Sequence, residues 1–85
     1  MAHSIIAEIR DIVKTHARLT GDVDGLSDSA DLYNAGLTSH ASVNLMLALE
    51  NKFDLEFPDR MLRKRVFESI ASIAAAIKEL QSEGA

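Results

Sequence analysis

Ser39 and His40 are neighbours whose side chains could supply a nucleophile and a base. Successive residues on a helix point about 100° apart, so these two side chains cannot form a catalytic triad. The sequence also lacks a G-x-S-x-G nucleophile elbow, and a chain of 85 residues is too small to enclose a substrate. An enzyme is therefore not expected.

Ser39 has a second chemistry because it lies at the predicted start of a helix. The first N–H groups of a helix lack intrahelical partners, and the helix dipole places about half a positive charge there. A phosphate attached to this hydroxyl would be stabilised by those donors. Gly36 would permit the tight turn that leaves Ser39 at the surface. The alternative for an isolated serine at this position is a plain N-cap.

The composition excludes several other functions. The chain has no cysteine, so zinc knuckles and cysteine nucleophiles are excluded, and any thiol chemistry must come from an attached group. Its 13 acidic and 9 basic residues give a net charge of −4, so nucleic-acid binding is not expected. No apolar run is long enough to span a membrane, and the N-terminus does not resemble a signal peptide. We expect a cytoplasmic protein without membrane insertion.

A metal centre is also not expected. Asp22-Val23-Asp24-Gly25 is similar to a calcium loop, but glycine comes too early, and tyrosine occupies the closing position, residue 33. The three histidines, His3, His16 and His40, are too far apart in the sequence to indicate a common site.

Apolar periodicity predicts an all-α fold, a small four-helix bundle with a long ordered loop between helices one and two and a short third helix. Helix one is predicted over about 4–18, with Ser4 as its cap and a stripe that includes His16. Helix two is predicted from Thr38-Ser39 to about Asn51. The short helix is predicted over about Asp59–Lys64, and the last helix from a Ser69 cap to Gly84. Leu19, Val23, Leu26, Leu32 and Tyr33 are predicted to attach the loop to the core.

Several segments of the chain resemble the acyl carrier protein family. That family typically has a D-L-G-x-D-S-L element, a helix similar to V-E-L-V-M-A-L-E, and an acidic stretch with F-D-x-x-I-P. The matching segments are Asp31-Leu32, Gly36–Ser39, Val43–Glu50, Phe53–Pro58 and Phe67–Ala74. The resemblance covers essentially the whole chain and implies one acyl-carrier-like domain over residues 1–85.

The resemblance implies that Ser39 receives a 4′-phosphopantetheine arm from coenzyme A, transferred by a separate holo-acyl-carrier-protein synthase. The arm would supply the missing thiol and hold acyl groups as thioesters for enzymes of fatty-acid, lipid or secondary-metabolite synthesis. Two alternatives remain open: an aminoacyl or peptidyl carrier, and an unmodified helical interaction module that kept the fold. Because carriers that shuttle between enzymes are generally monomeric, we expect a monomer.

Two departures from the family pattern flank Ser39: Thr38 replaces an aspartate, and His40 replaces a leucine. They put modification by a housekeeping synthase in question. Asn44 also replaces a glutamate of the second helix, and Arg60–Arg65 is basic where ordinary fatty-acid carriers are acidic. Since the sign of such patches steers association, we hypothesise a specialised carrier of a dedicated pathway. The alternative is a solvated basic face that balances nearby acidic residues.

The resemblance also implies surfaces for partners and cargo. Partner enzymes are expected to dock along helix two beside the serine, at His40, Val43, Asn44, Leu47 and Glu50. The alternative is that the apolar residues of this strip belong to an ordinary protein surface. In family members a cavity between the helices can shelter the acyl chain. By position, its lining would be Met46, Leu49, Ile70 and Ile73, and the favoured alternative is that these residues form a solid core.

Overall fold

The computed structural model describes residues 5–17, 19 and 23–83. Its α-helices are α1 (Ile5–His16), α2 (Ser39–Phe53) and α3 (Ile70–Glu83), and short 3₁₀ turns occupy Val23–Gly25, Asp59–Met61 and Lys64–Val66. The described residues contain no β-strand, as expected for an all-helical fold. The three long helices lie within about two residues of their predicted bounds, and the predicted Ser4 cap falls outside the described residues.

The core is formed by one face of each helix. From α1 it takes Ile9, Val13 and Ala17, which follows directly after the helix. His16, which the predicted stripe included, is exposed, because the buried face is centred on Val13 and turns toward Ala17 rather than His16. The fully buried side chains of the other elements are Leu32, Leu45, Leu49, Ile70, Ile73 and Ile77. No polar or charged residue is buried in the part of the chain that the structure describes.

The segment between α1 and α2 is attached to the core at several points. Val23 and Leu32 are buried, and Leu19, Leu26 and Tyr33 pack against the core while partly exposed, which confirms the predicted attachment points. Two backbone hydrogen bonds join this segment to the start of α3. The amide of Leu32 donates to the Glu68 carbonyl at 2.7 Å, and the amide of Ala71 donates to the Asp28 carbonyl at 2.8 Å.

Arg10 connects the same segment to α1. Its Nη1 donates to the carbonyls of Val23 and Leu26 at 2.6 and 2.8 Å, and its Nη2 contacts Asp28 Oδ1 at 2.6 Å. The Arg10 side chain is largely covered. One guanidinium therefore satisfies two loop carbonyls and a carboxylate, which fixes the path of the chain toward Ser39.

The region of the predicted short helix differs from the expectation. In place of one helix over about 59–64, the chain forms the two 3₁₀ turns, separated by an extended Arg63 (φ −126°, ψ 149°). On a continuous α-helix, Lys64 and Arg65 would lie on the same face as the buried Met61. The interruption at Arg63 separates them from that face and leaves residues 62–65 exposed.

Candidate functional site

Ser39 is the first residue of α2, and its side chain is exposed. The N-cap is the preceding residue, Thr38, which has extended dihedral angles (φ −96°, ψ 165°) and accepts the Ala41 amide on Oγ1 at 3.0 Å. The Thr38 carbonyl also accepts the Ser42 amide at 2.9 Å. The plain N-cap interpretation of Ser39 therefore does not apply, because Thr38 already performs that role.

The Ser39 hydroxyl is not used to hold the structure together. Within the described part of the chain, Ser39 Oγ has no hydrogen bond, and only the Ser39 carbonyl is engaged, by the Ser42 hydroxyl at 2.7 Å. Its position is fixed by its neighbours in sequence, since Leu37 and Ala41 on either side are buried. The result is a rigidly placed backbone that presents a free hydroxyl.

The turn before α2 is built around Asp31 and Gly36. Asp31 Oδ1 accepts the amides of Tyr33 and Asn34 at 2.9 and 3.3 Å, and the Leu37 amide returns to the Leu32 carbonyl at 2.9 Å. Gly36 has φ 115°, a value in the left-handed region that a side chain would make unfavourable. The predicted role of Gly36 in the tight approach to Ser39 is consistent with this geometry.

An open cleft of about 620 Å³ lies beside Ser39, and we call it the Ser39 cleft. Its floor is apolar, with Leu37 and Phe67 buried and Met46 half-buried. Its rim is polar and cationic on the side of the Lys64–Val66 turn. The complete lining comprises Tyr33, Leu37, Thr38, Ser39, Ser42, Val43, Met46, Leu62, Arg63, Lys64 and Phe67. The lining therefore has two cations and no carboxylate.

Tyr33 closes one side of the cleft. Lys64 Nζ lies 4.9 Å from the centre of the Tyr33 ring, a distance typical of a cation–π contact. Burial raises the pKa of Tyr33, a hydrogen bond with the Ser42 hydroxyl partly offsets this, and the negative charges of Asp31 and Glu68 raise it further. Tyr33 is therefore a neutral phenol at physiological pH.

The residues predicted as a docking strip divide into two groups. His40, Val43, Asn44 and Leu47 are exposed along α2, and Val43 and Leu47 keep about half of their surface (50% and 49%). Glu50 is half-buried, and its Oε2 accepts the Phe57 amide at 2.9 Å. Its carboxylate thus organises the turn after α2, a role that the sequence analysis missed because nothing in the sequence showed that residue 57 returns to this position.

The residues predicted as an acyl-cavity lining lie in two places. Leu49, Ile70 and Ile73 are completely buried members of the core cluster. Met46 lines the Ser39 cleft instead. The solid-core alternative therefore describes the first three, and only Met46 borders open space next to Ser39.

The described residues offer little support for a metal site or a membrane-spanning segment. No cluster of three or more metal-ligating side chains occurs among the described residues, and Asp22 and His3 lie outside them. Within the same residues, no helix is both long and apolar enough to cross a bilayer. The Ser39 cleft, which combines an exposed hydroxyl with an apolar floor and two cations, is therefore the candidate functional site.

Comparison with known proteins identifies this arrangement. The sequence pattern of the family described as "Phosphopantetheine attachment site" matches residues 7–77. The chain belongs to this family of carrier proteins. The resemblance found in the sequence is confirmed. The carrier holds a covalent 4′-phosphopantetheine group, which supplies a thiol for thioester formation.

Three relatives of this carrier are particularly informative. The "Aminoacyl carrier protein" of Agrobacterium fabrum (strain C58) is 49% identical over 72 residues, which are 85% of this chain and 87% of the relative. The carrier protein of Agrobacterium tumefaciens, crystallised with an engineered Bradyrhizobium japonicum glycine:[carrier protein] ligase and ATP, superposes with a TM-score of 0.86 at 46% identity, covering 89% of this chain and 99% of that chain. The holo acyl carrier protein NE2163 of Nitrosomonas europaea superposes with a TM-score of 0.81 at 28% identity, covering 94% of this chain and 99% of that chain.

Proposed function

We propose that Ser39 is the residue that carries the phosphopantetheine arm. Its exposed hydroxyl is free of hydrogen bonds within the described residues, whereas Thr38 takes the capping role. This division of labour is the observation that carries the proposal. It leaves a nucleophilic oxygen on a fixed backbone, at a point that a modifying enzyme can reach.

The surroundings of Ser39 suit a phosphate ester. The amides at the start of α2 are partly unsatisfied, and the helix dipole is positive there. Arg63 and Lys64 line the same cleft and add positive charge without a carboxylate in the lining. These residues fit the group because they would hold its negatively charged end near Ser39, while the apolar floor of the cleft accommodates its methylated portion.

Intact-mass spectrometry tests the attachment site. Incubation with coenzyme A and a broad-specificity holo-synthase should add about 340 Da to the wild type, the mass of the prosthetic group in ester linkage. Ser39→Ala should gain nothing. Ser42→Ala is the matched control, since Ser42 lies on the same helix and lines the same cleft, and it should gain the full mass. Addition to Ser39→Ala, or no addition to the wild type with several synthases, would contradict the proposal.

The cargo is best described as a small aminoacyl group. The relative at 49% identity is an aminoacyl carrier protein, and a similar carrier was crystallised with a glycine ligase. The complete burial of Leu49, Ile70 and Ile73 favours a cargo that needs no long cavity in the core. Acyl intermediates of fatty-acid, lipid or secondary-metabolite synthesis form the second class of cargo, and the Nitrosomonas europaea carrier supports it.

A second stage of the same experiment separates these cargoes. The holo protein is offered glycine, ATP and the Bradyrhizobium japonicum ligase in one reaction, and a long-chain fatty acid with an acyl-carrier ligase in another. A thioester-bound glycine, released by hydroxylamine and absent from Ser39→Ala, is the expected product. Loading of the fatty acid alone would assign the carrier to the acyl class.

Partner enzymes are proposed to dock beside Ser39 on the exposed part of α2. Besides the holo-synthase, these are the enzymes that load and transfer the cargo. His40, Val43, Asn44 and Leu47 are accessible to them. Glu50, the fifth residue of the predicted strip, is engaged with the Phe57 amide and contributes through the shape of the turn.

Several coarser properties complete the proposal. Residues 1–85 form one carrier domain, in which the turns over 59–66 take the place of the short third helix of a four-helix bundle. The family is not itself catalytic, which supports a carrier that acts only through its partners. A monomeric state and a cytoplasmic location remain predictions, to be checked by light scattering and by fractionation of the native cell.

A further inference from the structure

Among the described residues, the large hydrophobic side chains that stay exposed lie on α2 close to Ser39 or line the Ser39 cleft. The large hydrophobic residues that stay exposed in the described part of the chain are Val43, Leu47 and Leu62, with 50%, 49% and 46% of their surface accessible. Val43 and Leu62 both line the Ser39 cleft. Leu47 lies one helical turn beyond Val43 on α2, so these three side chains form one apolar patch next to the attachment residue.

Cations border this patch on the side of the Lys64–Val66 turn. Arg63 and Lys64 follow Leu62 directly and line the same cleft, and we call these two residues the basic wall. Both are exposed although they make local contacts. Arg63 Nε donates to the Arg60 carbonyl at 3.2 Å, and Lys64 lies over the Tyr33 ring. These contacts hold the side chains in place without neutralising their charges.

Carboxylates near the cleft do not cancel the basic wall. Asp31 accepts two backbone amides, and Glu68 is exposed; both act electrostatically on Tyr33, yet neither lines the cleft. The acidic side chain of α2, Glu50, is held by the Phe57 amide three turns from Ser39. The chain is acidic as a whole, with a net charge of −4, so the positive sign at this surface is local.

We propose that the apolar patch and the basic wall together form a docking surface for an acidic segment of the partner enzymes. The matching segment would place an apolar side chain between Val43 and Leu62 and present aspartate or glutamate to Arg63 and Lys64. Apolar contact supplies affinity at the centre, while the charges at the rim select and orient the partner. This inference rests on the proposed attachment at Ser39, which makes the surrounding surface the one that partners approach.

Matched peptides test the sign of this surface. One synthetic helical peptide has leucines on one face flanked by glutamates, and a second has lysines in place of the glutamates. Nuclear magnetic resonance titration of the Ser39→Ala protein with the first peptide should shift the signals of Val43, Leu62 and Arg63. The second peptide should bind at least about fivefold more weakly at low salt, and added salt should reduce the difference. Because the protein is unmodified, the result does not depend on whether Ser39 carries the arm.

A pair of charge reversals supplies the matched control. Arg63→Glu removes one cation of the basic wall, whereas Arg65→Glu makes the same change of charge two residues away, at an exposed position that does not line the cleft. The first variant should lose the preference for the acidic peptide, and the second should retain most of it. Equal effects of the two reversals, equal binding of both peptides, or binding of neither would overturn the proposal. If Arg63→Glu does not show the circular dichroism of the wild type, Arg63→Gln replaces it. Its preference for the acidic peptide over the basic one should be weaker than that of the wild type but should not reverse.

Discussion

The starts of α2 and α3 use serine in opposite ways. At α3, Ser69 accepts the Ser72 amide on Oγ at 3.0 Å, and Ser72 Oγ in return accepts the Ser69 amide at 3.0 Å. The Ser72 hydroxyl also lies within bonding distance of the Val66 carbonyl, at 2.8 Å. At α2, Thr38 supplies the cap, and the serine that follows it has a free hydroxyl. Both serines lie at the start of a helix, yet only the Ser69 hydroxyl is used to cap one.

A displacement of one residue decides the difference. The side chain of an N-cap residue can reach back to the amides of the first turn, whereas the side chain of the first helical residue points away from them. Ser69 occupies the first kind of position and Ser39 the second. Whether a serine at a helix start has a structural role can therefore be judged by whether it or the residue before it is the N-cap.

The largest expected effect is the difference in stability between the variants that lack the Ser69 hydroxyl and the Ser39 hydroxyl. Ser69→Ala leaves the Ser72 amide without its acceptor and should lower the free energy of unfolding by about 1–2 kcal/mol. Ser39→Ala removes no hydrogen bond of the described structure and should change it by less than about 0.5 kcal/mol. Urea denaturation followed by circular dichroism measures both values under the same conditions.

Phosphopantetheine transfer should respond to the same two variants in the opposite way. Ser69→Ala should still gain the prosthetic group when most molecules are folded, and Ser39→Ala should gain none. If Ser39→Ala proved as destabilising as Ser69→Ala, Ser39 would be a structural residue, and the contrast between the two helix starts would be lost.

A second prediction concerns the residue that frees Ser39. Thr38→Ala removes the cap of α2 and should cost about 1 kcal/mol of stability. The hydroxyl of Ser39 is then the nearest replacement, so the helix should begin one residue later and the rate of phosphopantetheine transfer should fall. Both effects are measured on one protein, by denaturation and by the time course of the mass increase.

Thr38→Asp is the control for that change. Aspartate is a good N-cap and also suits the positive end of the helix dipole, so stability should match or exceed that of the wild type. It also restores the residue typical of the acyl carrier pattern, so transfer by a housekeeping synthase should be at least as fast as for Thr38. Unchanged transfer to Thr38→Ala would show that the cap does not control the Ser39 hydroxyl.

Much of this architecture could be predicted from the sequence. The period of apolar residues predicted α1, α2 and α3, because a helix that packs on a core must repeat its apolar side chains about every 3.6 residues. The Ser69 cap was also predicted and is confirmed by the Ser72 amide. Local rules suffice for these features, since each involves residues close together in the chain.

Features that depend on distant residues could not be predicted in the same way. The chain forms two turns in place of the short helix, because a continuous helix would bring Lys64 and Arg65 to the face of Met61, which is buried in a core whose shape other elements set. Arg10 reaches carbonyls 13 and 16 residues away, and the sequence does not indicate this long-range contact. Likewise, the basic run over 60–65 was visible, but its position beside Ser39 depends on how the chain returns after α2.

The smallest expected effect concerns Tyr33, which faces the Ser39 cleft. It is the single tyrosine of a chain without tryptophan, so the ultraviolet absorbance of tyrosinate reports this residue directly. Since burial raises its pKa in the folded protein, the titration midpoint should lie above the ordinary value of about 10 and return to that value in concentrated urea. A folded-state pKa above the unfolded one means that stability is fully present below about pH 10 and is lost as the pH rises through the folded midpoint. Tyr33→Phe should remove this part of the alkaline loss, whereas equal midpoints in buffer and urea would show that the phenol is solvated and that the cleft is more open at this side than the structure indicates.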